Sequence, residues 1–327
     1  MPRPSIGFDL VSWSAEVNSD TAAWVDEIDR LRSVGVDRVT LVPYRFVSAE
    51  TGRLSAQSAY GLNTGPSDAV LAAAIRRALA HGLDVGLMPL LELDQPEGIG
   101  RQWRGTLTLS GEPADEFFLG YGEYLAGLVR LAPPGGPLRM SIGSELRGLT
   151  SDRALAPRWR ALIAGLRPTS PLNYCANWDE FDRVPFWDDL DGISVNAYFP
   201  LASPRAAEGV GNPSAATLRK GWGPHLRTLR ALAESRRRPL TISEWGTVPY
   251  DLTSTAPWNW RPTETPDPAE QFNAYDATLR AITDQGAWLA ACDFWHWRMP
   301  GSEGSAYAVG PPDAVVDLIR AYVRGEG

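Results

Sequence analysis

The sequence is poor in cysteine and histidine. The two cysteines, Cys175 and Cys292, provide no disulfide framework, and we expect both to be buried thiols within strands. A clustered metal site needs several histidine or acidic ligands, and the three histidines, His81, His225 and His296, are scattered along the chain. The sequence therefore predicts no cofactor and no catalytic metal.

Positive charge and long apolar runs are also scarce. The net charge of −8 disfavours binding to nucleic acid or to anionic membrane surfaces. No stretch approaches the roughly 18 apolar residues of a membrane span. The N-terminus, MPRPSIGFDL, lacks a signal-peptide pattern. We expect a cytoplasmic protein, a monomer or a weak homo-oligomer, with secretion open if the N-terminus has been trimmed.

Short apolar runs recur along the whole chain. Some of them, such as VTLV at 39–42 and VGLM at 85–88, are almost continuously apolar. This pattern is typical of strands buried on both faces, as in parallel sheets. The predicted strands cover residues 6–13, 38–44, 84–93, 138–145, 172–178, 192–198, 240–245 and 291–297.

Helical periodicity fills the segments between the strands. Residues 20–34 repeat apolar side chains at helical spacing and stop at Gly35, and residues 67–81 do the same and stop at Gly82. Further helices are predicted at about 114–131, 152–166, 213–235, 268–285 and 312–323, whereas 179–191 has room for one or two turns.

Strand–helix alternation repeated in this way predicts an α/β protein, a (β/α)8 TIM barrel that forms a single domain over residues 1–327. A doubly wound open sheet is the alternative, but no glycine-rich phosphate loop follows any strand. The stretch 246–268 is interpreted as a long loop after the seventh strand.

Two carboxylates stand at the ends of predicted strands. Glu145 closes the run MSIGSE on strand four, and Glu244 closes LTISE on strand seven. In this fold the active site lies at the carboxyl ends of the strands, and strands four and seven face each other across the barrel. Retaining glycosidases use two carboxyl groups about 5–5.5 Å apart. The pair predicts such a site, although either residue alone could be an ion-pair partner at the rim.

Five stretches carry a resemblance to a known family. They are SIGSELRGLT (141–150), residues 174–200, RPLTISEWG (238–246), DFWHW (293–297) and QWRG (102–105). In order and spacing they resemble the clan A retaining glycosidases and, more narrowly, glycoside hydrolase family 113, the β-mannanases. The resemblance spans nearly the whole chain.

The resemblance implies a role for each matching residue. Glu145 would be the general acid/base and Glu244 the nucleophile, which Tyr198 would hydrogen-bond and keep ionised. Tryptophans at strand ends can stack on sugar rings, and the sequence has thirteen. The residues expected to contact the sugar are Asn177 and Trp295, with Trp13, Trp103 and Arg104 as further contacts.

The chain departs from the family pattern at two places. Ser144 precedes the acid/base, where most of the clan has asparagine, and family 113 shares this difference. The family's third strand begins with Lys-Pro and carries a later Asn, but this chain reads MPLLEL, with Met88 and Glu92. If Glu92 contacts the sugar, a cation has been lost and an anion gained. This departure bears on sugar specificity more than on the reaction.

The resemblance implies a glycoside hydrolase, a β-mannanase or β-mannosidase-like enzyme that cleaves β-linked hexose polymers or oligosaccharides, above all β-1,4-mannan. The expected partner is an oligo- or polysaccharide. An alternative stays open, because SELRGLT also resembles the barrel domain of tail proteins from phage-like gene transfer agents. On that alternative the chain would be a non-catalytic barrel that binds cell-surface polysaccharide.

Overall fold

The computed structural model describes residues 3–61, 63–96, 102–133, 136, 138–166, 170–203, 211–283 and 285–326. In chain order its strands are β1 (Ser5–Leu10), β2 (Arg38–Leu41), β3 (Tyr44–Val47), β4 (Leu54–Ser55), β5 (Asp84–Leu87), β6 (Leu90–Leu93), β7 (Arg139–Ser144), β8 (Leu172–Asn177), β9 (Ile193–Asn196), β10 (Leu240–Trp245) and β11 (Leu289–Phe294).

Helices follow most of the barrel strands. Those within the described residues are α1 (Thr21–Val34), α2 (Asp68–Ala80), α3 (Gly111–Val129), α4 (Arg147–Thr150), α5 (Ala156–Leu166), α6 (Ala215–Arg236), α7 (Pro268–Ile282) and α8 (Ala314–Arg324). The short connection 179–191 contains only turns and the 3-10 helix Trp187–Asp189, as predicted. None of the described helices combines the length and the apolar composition that a membrane crossing would need.

Eight parallel strands close into a barrel, in the order β1, β2, β5, β7, β8, β9, β10, β11 and back to β1. This confirms the predicted (β/α)8 fold. Local signals set the helix ends: the side chain of Asp20 accepts hydrogen bonds from the amides of Ala22 and Ala23 at the start of α1, and Gly35 ends that helix at φ 97°.

The second and third predicted strands are each divided into two. The barrel strand β2 ends at Leu41 and β5 at Leu87, and the chain then forms β3 and β6, which pair in a separate three-stranded sheet with β4. Proline lies at both breaks, at Pro43 and Pro89. Proline has no N–H to donate to a ladder, so an uninterrupted strand through these positions was wrong. Glu92 consequently lies on β6, outside the barrel.

The outer face of the barrel strands, which packs against the helices, is apolar, and polar side chains point into the barrel. On β1, Ile6, Phe8 and Leu10 pack into the main hydrophobic core, so the alternating Asp9 faces the barrel interior. There Arg38 pairs with Asp293 at 3.0 Å, and all three charged groups are buried. Burial, together with the charge of Asp293, holds the pKa of Asp9 well above its usual value. Both cysteines are free and buried, which confirms the prediction for them.

The buried Arg38–Asp293 pair makes a prediction about stability. We expect Arg38→Met to lower the free energy of unfolding by about 3–5 kcal/mol, because it leaves acidic groups in the barrel without their cation. Chemical denaturation measures the change. Arg230→Met is the control, since Arg230 forms an exposed pair with Glu234 on α6 and should shift stability by less than about 0.5 kcal/mol. Equal losses in the two variants would contradict the prediction.

Candidate active site

Glu145 stands in an unusual backbone conformation at the end of β7. Its φ is 58°, in the left-handed region that is unfavourable for residues with a side chain. The strand register shifts between Ser141 and Ser144, a β-bulge that includes Gly143 at φ 148°. Bulges redirect side chains beside active sites. Here the bulge and the turn bring Ser144 and Glu145, two consecutive residues, to the same side.

Glu244 follows a second irregularity, on β10. The register of β10 against β9 shifts between Ile242 and Glu244. As a result Ser243 and Glu244 both reach the site, while Trp245 turns into the core. Gly246 comes next, and a Cβ there would lie 2.3 Å from the backbone oxygen of Trp295, so only glycine allows this close approach.

The side-chain amide of Asn196, at the end of β9, joins the two carboxylates. Its Nδ2 donates to Oε1 of Glu145 at 3.1 Å and to Oε1 of Glu244 at 2.7 Å. Two oxygens on one nitrogen at these distances are at most about 6 Å apart. These two oxygens are therefore close enough for a retaining pair of carboxyls, which stand about 5–5.5 Å apart. Ser243 donates to the amide oxygen at 2.9 Å and fixes the orientation of the amide.

The other oxygens of the pair have their own donors. Oε2 of Glu145 accepts from Trp103 Nε1 at 3.2 Å and from Arg104 at 3.0 Å. The second guanidinium nitrogen of Arg104 donates to Glu92 at 3.0 Å. Oε2 of Glu244 accepts from the Tyr198 hydroxyl at 3.0 Å, the bond expected from the sequence.

The two carboxylates face a cavity of about 450 Å³. Arg147 lies over the Trp103 ring at 5.6 Å. On the other wall Trp258 stacks on Trp178, with their ring centroids 4.8 Å apart. The lining residues are Trp103, Arg104, Glu145, Arg147, Asn177, Trp178, Asp179, Tyr198, Glu244, Trp258, Trp295 and Tyr307.

Seven of the nine residues singled out from the sequence meet at this cavity. Trp13 and Glu92 lie apart, in a neighbouring cavity of about 260 Å³ with Tyr44, Phe46 and Asn63. Trp13 packs against Tyr44, with ring centroids 5.1 Å apart. Because Glu92 holds Arg104, it is connected to the pair without lining the same cavity.

The sequence did not identify several residues of the site. Asn196 was recognisable as a strand-end residue, but its hydrogen bonds to both carboxylates depend on the two bulges. Trp258 lies in the long loop 246–268, where a tryptophan beside prolines was the only signal. Tyr307 donates to the backbone oxygen of Pro257 and so ties this loop to the segment after β11. Asn177, expected to contact sugar, already donates to Asp179 at 3.0 Å.

Burial dominates the electrostatics of Glu244. Burial raises the pKa of Glu244, to about 8, and the charge of Glu145 acts in the same direction. Arg104 and the hydrogen bonds from Tyr198 and Asn196 lower it, but by less. The hydrogen bond from Tyr198 to Glu244 is therefore present, but burial raises the pKa of Glu244 by more than this bond lowers it. Two buried carboxyls this close repel each other when both are charged, and this repulsion adds to the effect of burial on the pKa of Glu244.

One group of carboxylates among the described residues is close enough to share a metal ion, and it lies in the 246–268 loop and at the start of α7. Its members already accept hydrogen bonds within the loop. Glu270 accepts from the amides of Leu252 and Ser254, Asp267 caps α7, and Asp251 accepts from Leu252. They do not line the cavity of the carboxylate pair, and the absence of a catalytic metal stays a prediction.

Comparison with known families gives a match over most of the chain. The model of Glycoside Hydrolase Family 113 matches residues 7–307. No curated protein matches the chain.

Solved structures with the same fold include two from that family. One is a family 113 β-mannanase from Alicyclobacillus acidocaldarius in complex with ManMIm, with 21% identity, a TM-score of 0.78 and coverage of 100% of this chain and 99% of the other. Another is a family 113 β-1,4-mannanase in complex, with 19% identity, a TM-score of 0.76 and 99% of both chains covered. A family 5 mannosidase from Rhizomucor miehei shares 11% identity at a TM-score of 0.62, covering 99% and 93%. At these identities the likeness shows the fold.

The raised pKa of Glu244 predicts a pH-dependent stability. The unfolded carboxyl titrates near 4.5 and the folded one near 8, so its stabilising contribution is complete below about pH 4.5 and is lost as the pH rises to 8. A glutamine side chain does not titrate, so Glu244→Gln does not lose stability in this way. The melting temperature of the variant minus that of the wild type should therefore rise by on the order of 5 °C between pH 5 and pH 8.5. Calorimetry at several pH values measures this. Glu234→Gln, on the exposed face of α6, is the control, and a gain no larger than in that variant would contradict the prediction.

Proposed function

Because the chain belongs to glycoside hydrolase family 113, we propose that it cleaves β-1,4-mannan or related β-linked hexose oligosaccharides with net retention, with Glu145 as general acid/base and Glu244 as nucleophile. The carrying observation is the pair itself: two carboxylates at the ends of β7 and β10, held on one amide nitrogen at 3.1 and 2.7 Å and facing one cavity. The mannan-type substrate is supported by the β-mannanase names of the two family 113 structures.

The geometry suits a double displacement. In the first step Glu145 protonates the leaving oxygen while Glu244 attacks the anomeric carbon and forms a glycosyl-enzyme. In the second step Glu145 takes a proton from water, the water oxygen bonds to the same carbon, and the bond from that carbon to Glu244 breaks and releases the carboxylate. Trp103 and Arg104 donate to Oε2 of Glu145 and stabilise the carboxylate that remains after it has given up its proton.

Glu244 must lose its proton to attack. Tyr198 and Asn196 donate to its two oxygens at 3.0 and 2.7 Å and are in place to stabilise the charged form. In the transition state the sugar develops positive charge at the anomeric carbon, and the ionised form of Glu244 stabilises that charge.

The cavity walls account for binding. Flat aromatic faces at Trp178, Trp258 and Trp295 line it beside polar groups, the combination that sugar rings require. A non-catalytic, tail-related barrel is not favoured, because the family model describes a glycoside hydrolase and a binding surface has no use for two buried carboxylates that share donors.

The assigned roles predict different behaviour for the two carboxylates. Glu244→Ala and Glu145→Ala should each lower turnover by several orders of magnitude and stay folded, whereas Glu234→Ala should retain wild-type turnover. With a good leaving group, azide should partly rescue Glu145→Ala and give the β-glycosyl azide, because azide needs no general base. Azide that replaces the missing nucleophile in Glu244→Ala would instead give the α-glycosyl azide. Hydrolysis of β-mannan, glucan and galactan oligosaccharides is followed by proton NMR, and the first product should be the β-anomer. Inversion, or near-native rates in either variant, would contradict the mechanism.

The stacked pair of tryptophans predicts a binding effect. Trp258→Ala should raise KM for oligosaccharides about five- to tenfold with a smaller change in kcat, because it removes an aromatic face from the wall. Trp260 is the matched control, since it lies in the same loop, is 66% exposed and does not line the cavity. If both variants raise KM equally, stacking at Trp258 is not the cause.

A further inference from the structure

A fully buried carboxylate, Glu180, lies in the turn after β8 and does not line the cavity. Its Oε1 accepts from the Tyr174 hydroxyl at 2.6 Å and from Thr150 Oγ1 at 2.5 Å. Its Oε2 accepts from the backbone amide of Asn177 at 3.1 Å. None of these three donors is a cation, so the burial of this carboxyl is not explained by an ion pair.

The hydroxyl of Tyr174 continues this network to the acid/base turn. Its oxygen accepts from the backbone amide of Leu146 at 2.7 Å. Leu146 directly follows Glu145, whose own amide donates to the backbone oxygen of Cys175 at 2.9 Å. Two successive amides of the acid/base turn are therefore both held by β8.

The backbone amide fixes the direction of these bonds. A phenol can donate or accept, but the N–H of Leu146 can only donate, so the oxygen of Tyr174 accepts there. The hydroxyl hydrogen of Tyr174 is then directed to Oε1 of Glu180. A residue with a side chain keeps a positive φ, as Glu145 does, only where neighbouring contacts hold the backbone. The hydrogen bond from the N–H of Leu146 to Tyr174 is such a contact.

We propose that Glu180, acting through Tyr174, is a positioning residue for the acid/base: it holds the turn at Leu146 so that the carboxyl of Glu145 points at the glycosidic oxygen. This inference depends on the proposed function of Glu145. Through Thr150 and Asn177, the same carboxylate also ties the end of α4 to the end of β8.

The alternative is a purely structural network that merely satisfies buried polar groups. The two differ in what happens to proton donation. A misplaced acid slows the departure of a poor leaving group, whereas 2,4-dinitrophenolate departs without protonation. A general loss of folded enzyme lowers the rate on both kinds of substrate by the same factor.

The test compares Tyr174→Phe with Tyr121→Phe. Tyr121 is also fully buried, and its hydroxyl donates to the backbone oxygen of Ile142 on β7 at 3.0 Å, so each variant loses one buried hydroxyl beside the same strand. The measured quantity is kcat/KM for the phenyl and the 2,4-dinitrophenyl β-mannobiosides, which reports the first chemical step. Tyr174→Phe should lose about tenfold or more on the phenyl substrate and less than about threefold on the other.

Tyr121→Phe should change both values by less than about twofold. Glu180→Gln, which keeps the size of the side chain, should show the same selective loss on the phenyl substrate, and it serves as the test if Tyr174→Phe does not fold. Equal losses on both substrates, or a pattern like that of Tyr121→Phe, would overturn this proposal while leaving the proposed function in place. If the wild type cleaves neither substrate nor the oligosaccharides, the proposed function fails, and this proposal fails with it.

Discussion

One amide group holds the two carboxylates together, and the rest of the site is arranged around it. Negative charges this close repel each other strongly when buried, unless donors are provided for both. The nitrogen of Asn196 serves both, and Ser243 holds the amide so that the nitrogen faces the pair. Arg104 and Tyr198 complete the set from opposite sides. The site is thus a pair of carboxyl groups stabilised mainly by neutral donors, with Arg104 as the cation that donates to it.

The sequence was sufficient to predict the barrel and the two carboxylates, because strand ends in a parallel barrel meet at one mouth regardless of loop detail. It was not sufficient to predict how the side chains are directed there. Strict alternation would send Ser144 and Glu145 to opposite sides, and the bulge at Gly143 that cancels this alternation has no clear sequence pattern. The break of two predicted strands did have a signal, since Pro43 and Pro89 interrupt the apolar runs.

The tryptophans show the same limit. Trp245 and Trp295 both stand at the ends of barrel strands, yet Trp245 packs in the core and Trp295 lines the cavity. Composition indicated that some aromatic residues would contact sugar, but a one-residue change in register decides which. Trp258 could not be assigned from strand position at all. Its place depends on a hydrogen bond between Tyr307 and Pro257, which joins segments about fifty residues apart.

The small sheet of β3, β4 and β6 stands outside the barrel, and Arg104 connects Glu92 on this sheet to the carboxylate pair. The segment that departs from the family pattern thus lies in a different sheet from the barrel strands that end at Glu145 and Glu244. Because Arg104 donates to both Glu92 and Glu145, a substitution at Glu92 acts on the pair through the position of one guanidinium group. The outer sheet can in this way tune the acidity of Glu145 while the backbone of the barrel keeps its place.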